Sequence, residues 1–507
     1  MAAALETPRE RLRLVLAAGL LTAAFVATRL ALLWRFPWFV DETTFASYAR
    51  DVHGDLGQFF IAETDKKGLL PSWMGAGLIG AGIGPVTAMR LLAAAGTALA
   101  AVCGGALMRQ LYGLREGIFT AAVIALGPFF LVTASVGIYD AMVTGLVAAA
   151  VLVSFWLARR PRLSTAILLG IILGAGGLTK PTAWAAAVVM PCTLLLFDYV
   201  APRLRQRLLA WAGYAGLAIA LGYAITSIAR LTPLYDQPIA AENHVGLGQM
   251  FDNFGALALE HAALIMLALL QYLTIPGAIF AVVGAVVAWR RHRSGAIILI
   301  VWAVAVLVSA ILLPRWSNPR YFAAAMVPIG GFVVLGALAL WDRVVSRWTH
   351  GVRTGRLAAC IVVLLTFLPA VLFDTRVLVD PVHASYPGLD EYQYVTQPSA
   401  LGHLGVFAQE IRRRGGPYPV RIDTGPYPAD RLDIGPWGLD LLLNGTSTGP
   451  KVRFDVFAHG TPSQLAAARY IVTDGERSDT PPRPGYRLIR RVHRSAGGAV
   501  MRLYERS

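Results

Sequence analysis

Long apolar runs separated by short polar stretches fill the chain from its start to about residue 373. The first, Leu12 to Trp34, is long enough at about 1.5 Å per helical residue to cross a bilayer core of about 30 Å. Ten more follow, at Pro85 to Met108, Gly117 to Thr133, Ala141 to Leu157, Thr165 to Leu178, Ala183 to Phe197, Leu208 to Ala229, Ala262 to Trp289, Gly295 to Leu313, Tyr321 to Trp341 and Leu357 to Phe373. The pattern predicts an α-helical polytopic membrane protein with about eleven transmembrane helices. The fifth and sixth runs are short and separated only by Thr179, Lys180 and Pro181, so they also read as one kinked or re-entrant element. From Asp374 onward the chain turns polar and rich in proline and glycine. A helical period runs from Ala400 to Arg414, and strand-like runs lie at Val420 to Asp423, Tyr470 to Thr473, Tyr486 to Val492 and Ala499 to Tyr504. These predict a small C-terminal α/β domain, residues 374–507, following a membrane domain of residues 1–373.

Composition agrees with a membrane setting. The 507 residues are 56% hydrophobic and only 15% charged, against about 25% charged in soluble domains, and mean hydropathy is +0.57. The net charge of +15 lies in short clusters between apolar runs, which excludes a nucleic-acid surface and fits orientation in a bilayer. With a cytoplasmic N-terminus, each inner loop carries arginines: Arg109 and Arg115; Arg159, Arg160 and Arg162; Arg203, Arg205 and Arg207; Arg290, Arg291 and Arg293; Arg343, Arg347, Arg353 and Arg356. Merging the fifth and sixth helices would invert all later loops and break this rule. The C-terminal domain is therefore expected to be extracytoplasmic, in a cell-membrane protein. The first helix carries no small-residue cleavage site at its end and reads as retained. Cys103, Cys192 and Cys360 all fall in apolar stretches, so neither a disulfide framework nor a cysteine-rich metal site is visible.

The chemistry concentrates in the outer loops. Asp41 and Glu42 emerge where the first helix meets the outer interface, and such carboxylates are costly to desolvate. One of them can serve as a general base; alternatively both are first-turn residues of a helix over Thr43 to Arg50, where the dipole favours acids. The chain has only four lysines, Lys66, Lys67, Lys180 and Lys451, against forty-one arginines. Three lie at outer turns, where a compact charge suits phosphate oxygens, or where a lysine simply anchors an interface. Asp140 opens the fourth helix, where an N-cap is its structural alternative. Arg315 and Arg320 occupy an outer turn that the charge rule leaves poor in cations, and Arg320 beside Tyr321 calls for an anionic partner, a lipid head group or a substrate phosphate.

These features in this order resemble the polyprenyl-phosphate-dependent glycosyltransferases of the C superfamily, in particular the bacterial relatives of protein O-mannosyltransferases and lipid A aminoarabinose transferases. The resemblance spans the membrane half. It rests on the Asp41-Glu42 pair after the first helix, on Asp65, Lys66, Lys67 and Gly68, which match an acidic-Lys-Pro-Pro motif without its prolines, and on Asp140 at the fourth helix. The turn Leu178, Thr179, Lys180 and the Arg320-Tyr321 pair with Pro328 extend it, and Tyr394 to Gly416 looks like the start of the outer domain in bacterial members. The resemblance implies transfer of a sugar from a polyprenyl monophosphate to an acceptor hydroxyl on lipid, glycan or protein, with inversion. It implies Asp41 as base, Glu42 as its orienting neighbour, Lys66, Lys67, Arg320 and Tyr321 at the donor phosphate, and Asp140 and Lys180 at the acceptor or in support. No cofactor or metal is assigned, though Asp41 with Asp140 leaves a divalent metal open.

A transporter or flippase of a lipid-linked sugar is the alternative; it would bind the same phosphate, but is expected to show duplicated halves and ionisable residues near mid-membrane. A receptor built on the C-terminal domain would leave the acidic pair and lysines unexplained. A cytoplasmic nucleotide-sugar enzyme lacks an acidic cluster in its inner loops. The loop Arg230 to Glu260, with Glu242, Asn243 and His244, and the C-terminal domain are expected to hold specificity, and Asn444, Gly445 and Thr446 match an N-glycosylation pattern of low information.

Overall fold

The computed structural model describes residues 8–200, 203–236, 254–314, 317–347, 367–396, 404–415, 419–423, 436–447, 454, 456–457, 463, 467–473, 484–493 and 500–507. Its helices, in chain order, are α1 (Pro8–Leu32), α2 (Val40–Gly54), α3 (Leu69–Gly80), α4 (Pro85–Tyr112), α5 (Leu114–Leu126), α6 (Pro128–Thr133), α7 (Tyr139–Arg159), α8 (Leu163–Thr179), α9 (Ala185–Val189), α10 (Leu204–Thr226), α11 (Phe254–Arg291), α12 (Arg293–Leu312), α13 (Met326–Arg347), α14 (367–379), α15 (Gly388–Glu391), α16 (Leu404–Arg414) and α17 (Pro436–Asn444).

Among the described residues, seven helical stretches are long and apolar enough to cross a membrane: Val15–Leu32, Pro85–Tyr112, Tyr139–Arg159, Leu204–Leu231, Leu257–Arg291, Arg293–Leu312 and Pro319–Arg343. The remaining apolar runs are helical but interrupted. The third breaks at Gly127, where Pro128 starts α6 and cannot continue α5. The fifth is the 17-residue α8. The sixth winds as 3₁₀ turns at Pro181–Trp184 and Met190–Leu196 on either side of α9. Because a 3₁₀ turn rises about 2.0 Å per residue, this stretch reaches roughly 30 Å with few residues. The eleventh run lies outside the described residues up to 366, and its end enters α14.

Helix α7 is the axis of the bundle and is buried along nearly its whole length, whereas α1 turns Leu12, Val15, Leu16 and Leu20 outward, as a lipid-facing helix does. Small residues let α7 approach α4 closely. A Cβ at Gly96 would stand 2.5 Å from the Ala141 carbonyl oxygen and 2.6 Å from the Met142 nitrogen. Without a hydrophobic drive between helices in lipid, such backbone approach supplies the packing, and it fixes the end of α7 that carries Asp140.

The loop after α1 is not open coil. It folds into α2 and α3, and α3 buries Leu69, Pro71, Ser72, Gly75 and Ile79 where no helix was expected.

The C-terminal part is a five-stranded sheet of order β2-β1-β3-β5-β4, with β1 Val420–Asp423, β2 Val456–Phe457, β3 Tyr470–Thr473, β4 Tyr486–His493 and β5 Val500–Arg506. β1 pairs in parallel with β2 and β3, and β5 runs antiparallel between β3 and β4. The apolar face of α16, made by Leu404, Phe407, Ala408 and Ile411 at helical spacing, packs with Val420, Tyr470, Val472 and Leu503. Trp38, next to the acidic pair, packs against this core and against that of the bundle.

Gly96→Val is expected to cost about 1–3 kcal/mol through forced separation of α4 and α7. The check is a lowered thermal unfolding midpoint of the detergent-purified protein; an unchanged midpoint would show that the α4–α7 contact is slack.

Candidate functional site

Phe39 is extended (φ −120°, ψ 146°) and precedes α2, so Asp41 and Glu42 occupy the helix's first turn, where its unpaired amides favour negative charge. The two acids then diverge. Glu42 is fully buried: its oxygens accept from Arg90 Nε at 2.8 Å, from Arg90 Nη2 at 2.7 Å and from the Gly137 amide at 2.6 Å. Arg90 also donates to the carbonyls of Leu33 at 2.8 Å, Phe36 at 3.1 Å and Pro37 at 3.2 Å. One guanidinium thus ties the end of α1, the turn after it, α2 and α4 together. The expectation that Glu42 orients Asp41 gives way to a structural role, because every oxygen of Glu42 is taken by Arg90 and the Gly137 amide.

Asp41 faces the other way and keeps 28% of its side-chain exposure, while Glu42 keeps 0%. Its Oδ2 accepts from Arg320 Nη2 at 2.6 Å. Arg320 sits at the start of the 3₁₀ turn Pro319–Ala325, buried over the rings of Phe39 at 5.2 Å and Tyr321 at 5.5 Å. The anionic partner demanded by its outer position is therefore within the chain. That partner does not exhaust it, since Nε and Nη1 are buried without hydrogen-bond partners. Burial works to raise the Asp41 carboxyl, but the charges of Arg320, Lys67 and Lys180 outweigh it and hold the group below the usual carboxylate range.

Asp140 lies in the first turn of α7, but the N-cap position is Ile138 and Asp140 caps nothing. Its Oδ1 accepts from Lys180 Nζ at 2.6 Å, and its Oδ2 is 4.0 Å from Arg320 Nε. Lys180 also stands 4.4 Å over the Tyr321 ring. Asp41, Asp140, Lys180, Arg320 and Tyr321 thus form one constellation where the starts of α2 and α7, the end of α8 and the 319–325 turn meet.

The two neighbouring lysines separate cleanly. Lys66 adopts a left-handed backbone (φ +50°) and donates to the carbonyls of Leu234, at 2.7 Å, and Tyr235. It is spent on the chain, which argues against the phosphate contact expected of it. Lys67 points toward the site, its ammonium 5.9 Å from the Phe45 ring and close enough to lower Asp41. Asp65 accepts from Tyr48 of α2 and pins this loop. Gly68 then lies so near the Leu178 and Thr179 carbonyls that a Cβ would overlap them, so the Lys67 loop and the Lys180 turn pack as one unit. Arg315, Glu242, Asn243 and His244 lie outside the described residues. Among those described, no group of three or more His, Cys, Asp or Glu side chains gathers as a metal would require. The Asn444 amide donates to Asp440 at 2.6 Å and to the Phe454 carbonyl at 2.8 Å, so the nitrogen a glycan would need is engaged.

Two residues of this region are absent from the sequence reading. Arg90 was hidden inside an apolar run, although a lone charge there is itself a signal. Tyr139 stacks on Phe45 with ring centroids 3.8 Å apart, and its hydroxyl lies 3.1 Å from Ser72 Oγ, which seats α3 against α7.

Among solved structures, ArnT from Cupriavidus metallidurans bound to undecaprenyl phosphate matches with a TM-score of 0.57 at 15% identity, over 96% of this chain and 97% of that one. Its apo state matches with a TM-score of 0.55 at 16% identity, over the same shares of the two chains. The chain shares the fold of that protein. No protein-family model and no curated protein matches the sequence. Within this fold, the constellation around Asp41 and Arg320 lies where α2, α7 and the turn before α13 converge.

Glu42→Ala leaves the Arg90 charge buried and unpaired and is expected to cost about 3–5 kcal/mol. Thermal unfolding checks this, with Asp41→Asn expected to leave the midpoint near that of the wild type. Equal losses in both variants would remove the division of labour drawn here between the two acids.

Proposed function

We propose that the protein is a membrane glycosyltransferase that moves a monosaccharide from a polyprenyl-phosphate donor to an acceptor hydroxyl on the outer face of the membrane. The observation that carries the reading is Arg320: a buried guanidinium held by Asp41 on one side, with two nitrogens left without partners and Lys67 nearby. Unpaired buried donors are costly unless a ligand completes them. A planar guanidinium fork with an ammonium beside it suits phosphate oxygens. A solved protein of the same fold, ArnT, holds undecaprenyl phosphate, and the apolar outward faces of the helices suit a donor whose tail stays in lipid.

In this reading the acceptor oxygen attacks the anomeric carbon on the face opposite the phosphate. The carbon–oxygen bond to phosphate breaks with its electron pair leaving on the phosphate, and the configuration inverts. Arg320 and Lys67 stabilise the departing anion, so no acid is needed there. The acceptor proton passes to Asp41, which is ionised and partly exposed and needs no activation beyond its placement. Lys180 holds Asp140 beside the acceptor side, and Tyr321 supports both cations. The same reading places the N-terminus in the cytoplasm, the membrane part over residues 1–373 and an extracytoplasmic part over residues 374–507. The acceptor is a lipid, a cell-wall glycan or a protein.

The test is transfer of labelled sugar from a panel of polyprenyl-phosphate sugars to membrane extracts. Asp41→Asn is expected to lower transfer by about 100-fold or more while donor still binds. Lys67→Met should lose a charge-assisted contact worth roughly 1.5–3 kcal/mol, weakening donor binding tenfold or more, with Lys66→Met much milder. A wild-type protein that neither transfers nor binds any member of the panel would sink the reading.

A further inference from the structure

One acid lies buried beside the site and is joined to no cation by a hydrogen bond or ion pair. Asp390 is in α15, in the segment between the membrane helices and the sheet, and is 3% exposed. Its Oδ2 accepts a hydrogen bond from Tyr272 of α11, while its Oδ1 is buried with no partner. The same segment sets Tyr394 edge-on against Phe39, with centroids 5.2 Å apart, and Phe39 is the ring that Arg320 covers. Tyr272 packs edge-on against Phe129 at 5.1 Å, and Phe129 stacks on Phe322 of the Arg320 turn at 5.4 Å. Asp390 and Arg320 therefore share one aromatic wall, and each keeps unsatisfied polar atoms inside it.

The groups facing Asp390 from the surrounding elements are Arg320 from the 319–325 turn, Tyr272 from α11, and Tyr386 and Tyr394 from its own segment. Arg320 is the one cation in this set. An ionised Asp390 thus draws on the guanidinium charge that Asp41 already shares and that an anionic ligand would use, and in a low-dielectric setting a further carboxylate with no cation of its own is costly beside that ligand.

We propose, resting on the donor reading above, that Asp390 is a protonatable counter-group to the donor phosphate: it takes one proton from solvent when the anion seats on Arg320 and releases it when the anion departs. Asp390 is a positioning residue in this scheme, acting on the donor through Arg320. Burial pushes its carboxyl up to about 7, against the Tyr272 hydrogen bond and the Arg320 charge, which both pull it down. The sign follows: anion binding favours the neutral acid, so affinity is full below this value and falls as pH rises through it. If the bound anion raises the group by about one unit, the loss is about tenfold.

The experiment measures binding of a short polyprenyl methyl phosphodiester, which keeps a single negative charge throughout, to the full-length protein in lipid nanodiscs from pH 5.5 to 8.5. Wild type is expected to bind about tenfold more weakly at the upper end. Asp390→Asn, permanently neutral and nearly isosteric, should bind tightly with no slope. Tyr272→Phe, which removes the hydrogen bond that favours the anion, should keep the slope with its midpoint moved to higher pH. Binding that is flat in wild type, or a wild-type slope retained in Asp390→Asn, overturns the role of Asp390 while leaving the donor reading in place. Absence of binding by wild type at every pH overturns both.

Discussion

The buried pair of Glu42 and Arg90 is the constraint on which the rest of the site depends. A carboxylate and a guanidinium taken wholly out of water hold together only if their remaining hydrogen-bonding capacity is met. Here the backbone meets it: the Gly137 amide completes Glu42, and three carbonyls of the turn that follows α1 complete Arg90. Those partners come from α1, α2, α4 and the strand-like entry to α7, so meeting the pair's needs fixes four segments at once. Asp41, one residue from Glu42, inherits that rigidity while itself remaining partly open. The carboxylate proposed as the base is thus held by a neighbour whose own oxygens are fully engaged.

The second organising feature is the imbalance around Arg320. Asp41 takes one of its nitrogens, Asp140 stays at 4.0 Å, already joined to Lys180, and the other two nitrogens are left without hydrogen-bond partners. The site is neither a closed ion-pair network nor an open basic patch. It is a set of fixed charges with an anion's worth of hydrogen bonding unspent, which is how preorganised sites stabilise a departing phosphate.

Much of the bundle was legible because a bilayer imposes a uniform demand: every crossing segment must be apolar, and the loops between must carry charge of one sign on one side. The strands of the C-terminal sheet were legible from their branched and aromatic residues, and β4 ends within one residue of its expected limit. Helix α3 was not, because twelve apolar residues are too few to cross a membrane and too uniform to show a polar face. At the site, the sequence marked Asp41, Asp140, Lys180 and Arg320 but not their division of labour. What sets Glu42 apart from Asp41 is Arg90, 48 residues away. What sets Lys66 apart from Lys67 is one left-handed backbone angle and the position of Leu234 and Tyr235. Tertiary contacts of this kind leave no local periodicity to read. Asp390 was invisible for the same reason, since its meaning comes only from Tyr272, Tyr394 and Arg320.

Helix α2 carries Asp41 at its start, and from its far half the buried Arg50 bonds to Asp440 of α17, while Trp38 packs into the cores of both the bundle and the sheet. The C-terminal part is consequently no interchangeable cap. Grafting another protein's sheet onto these helices would have to supply an acid in the place of Asp440 or leave the buried Arg50 with its neighbour Asp51 alone. In an evolving lineage, the two halves must therefore change as co-adapted parts, and a change acquired by the sheet is carried, through one rod of fifteen residues, to the alignment of the site.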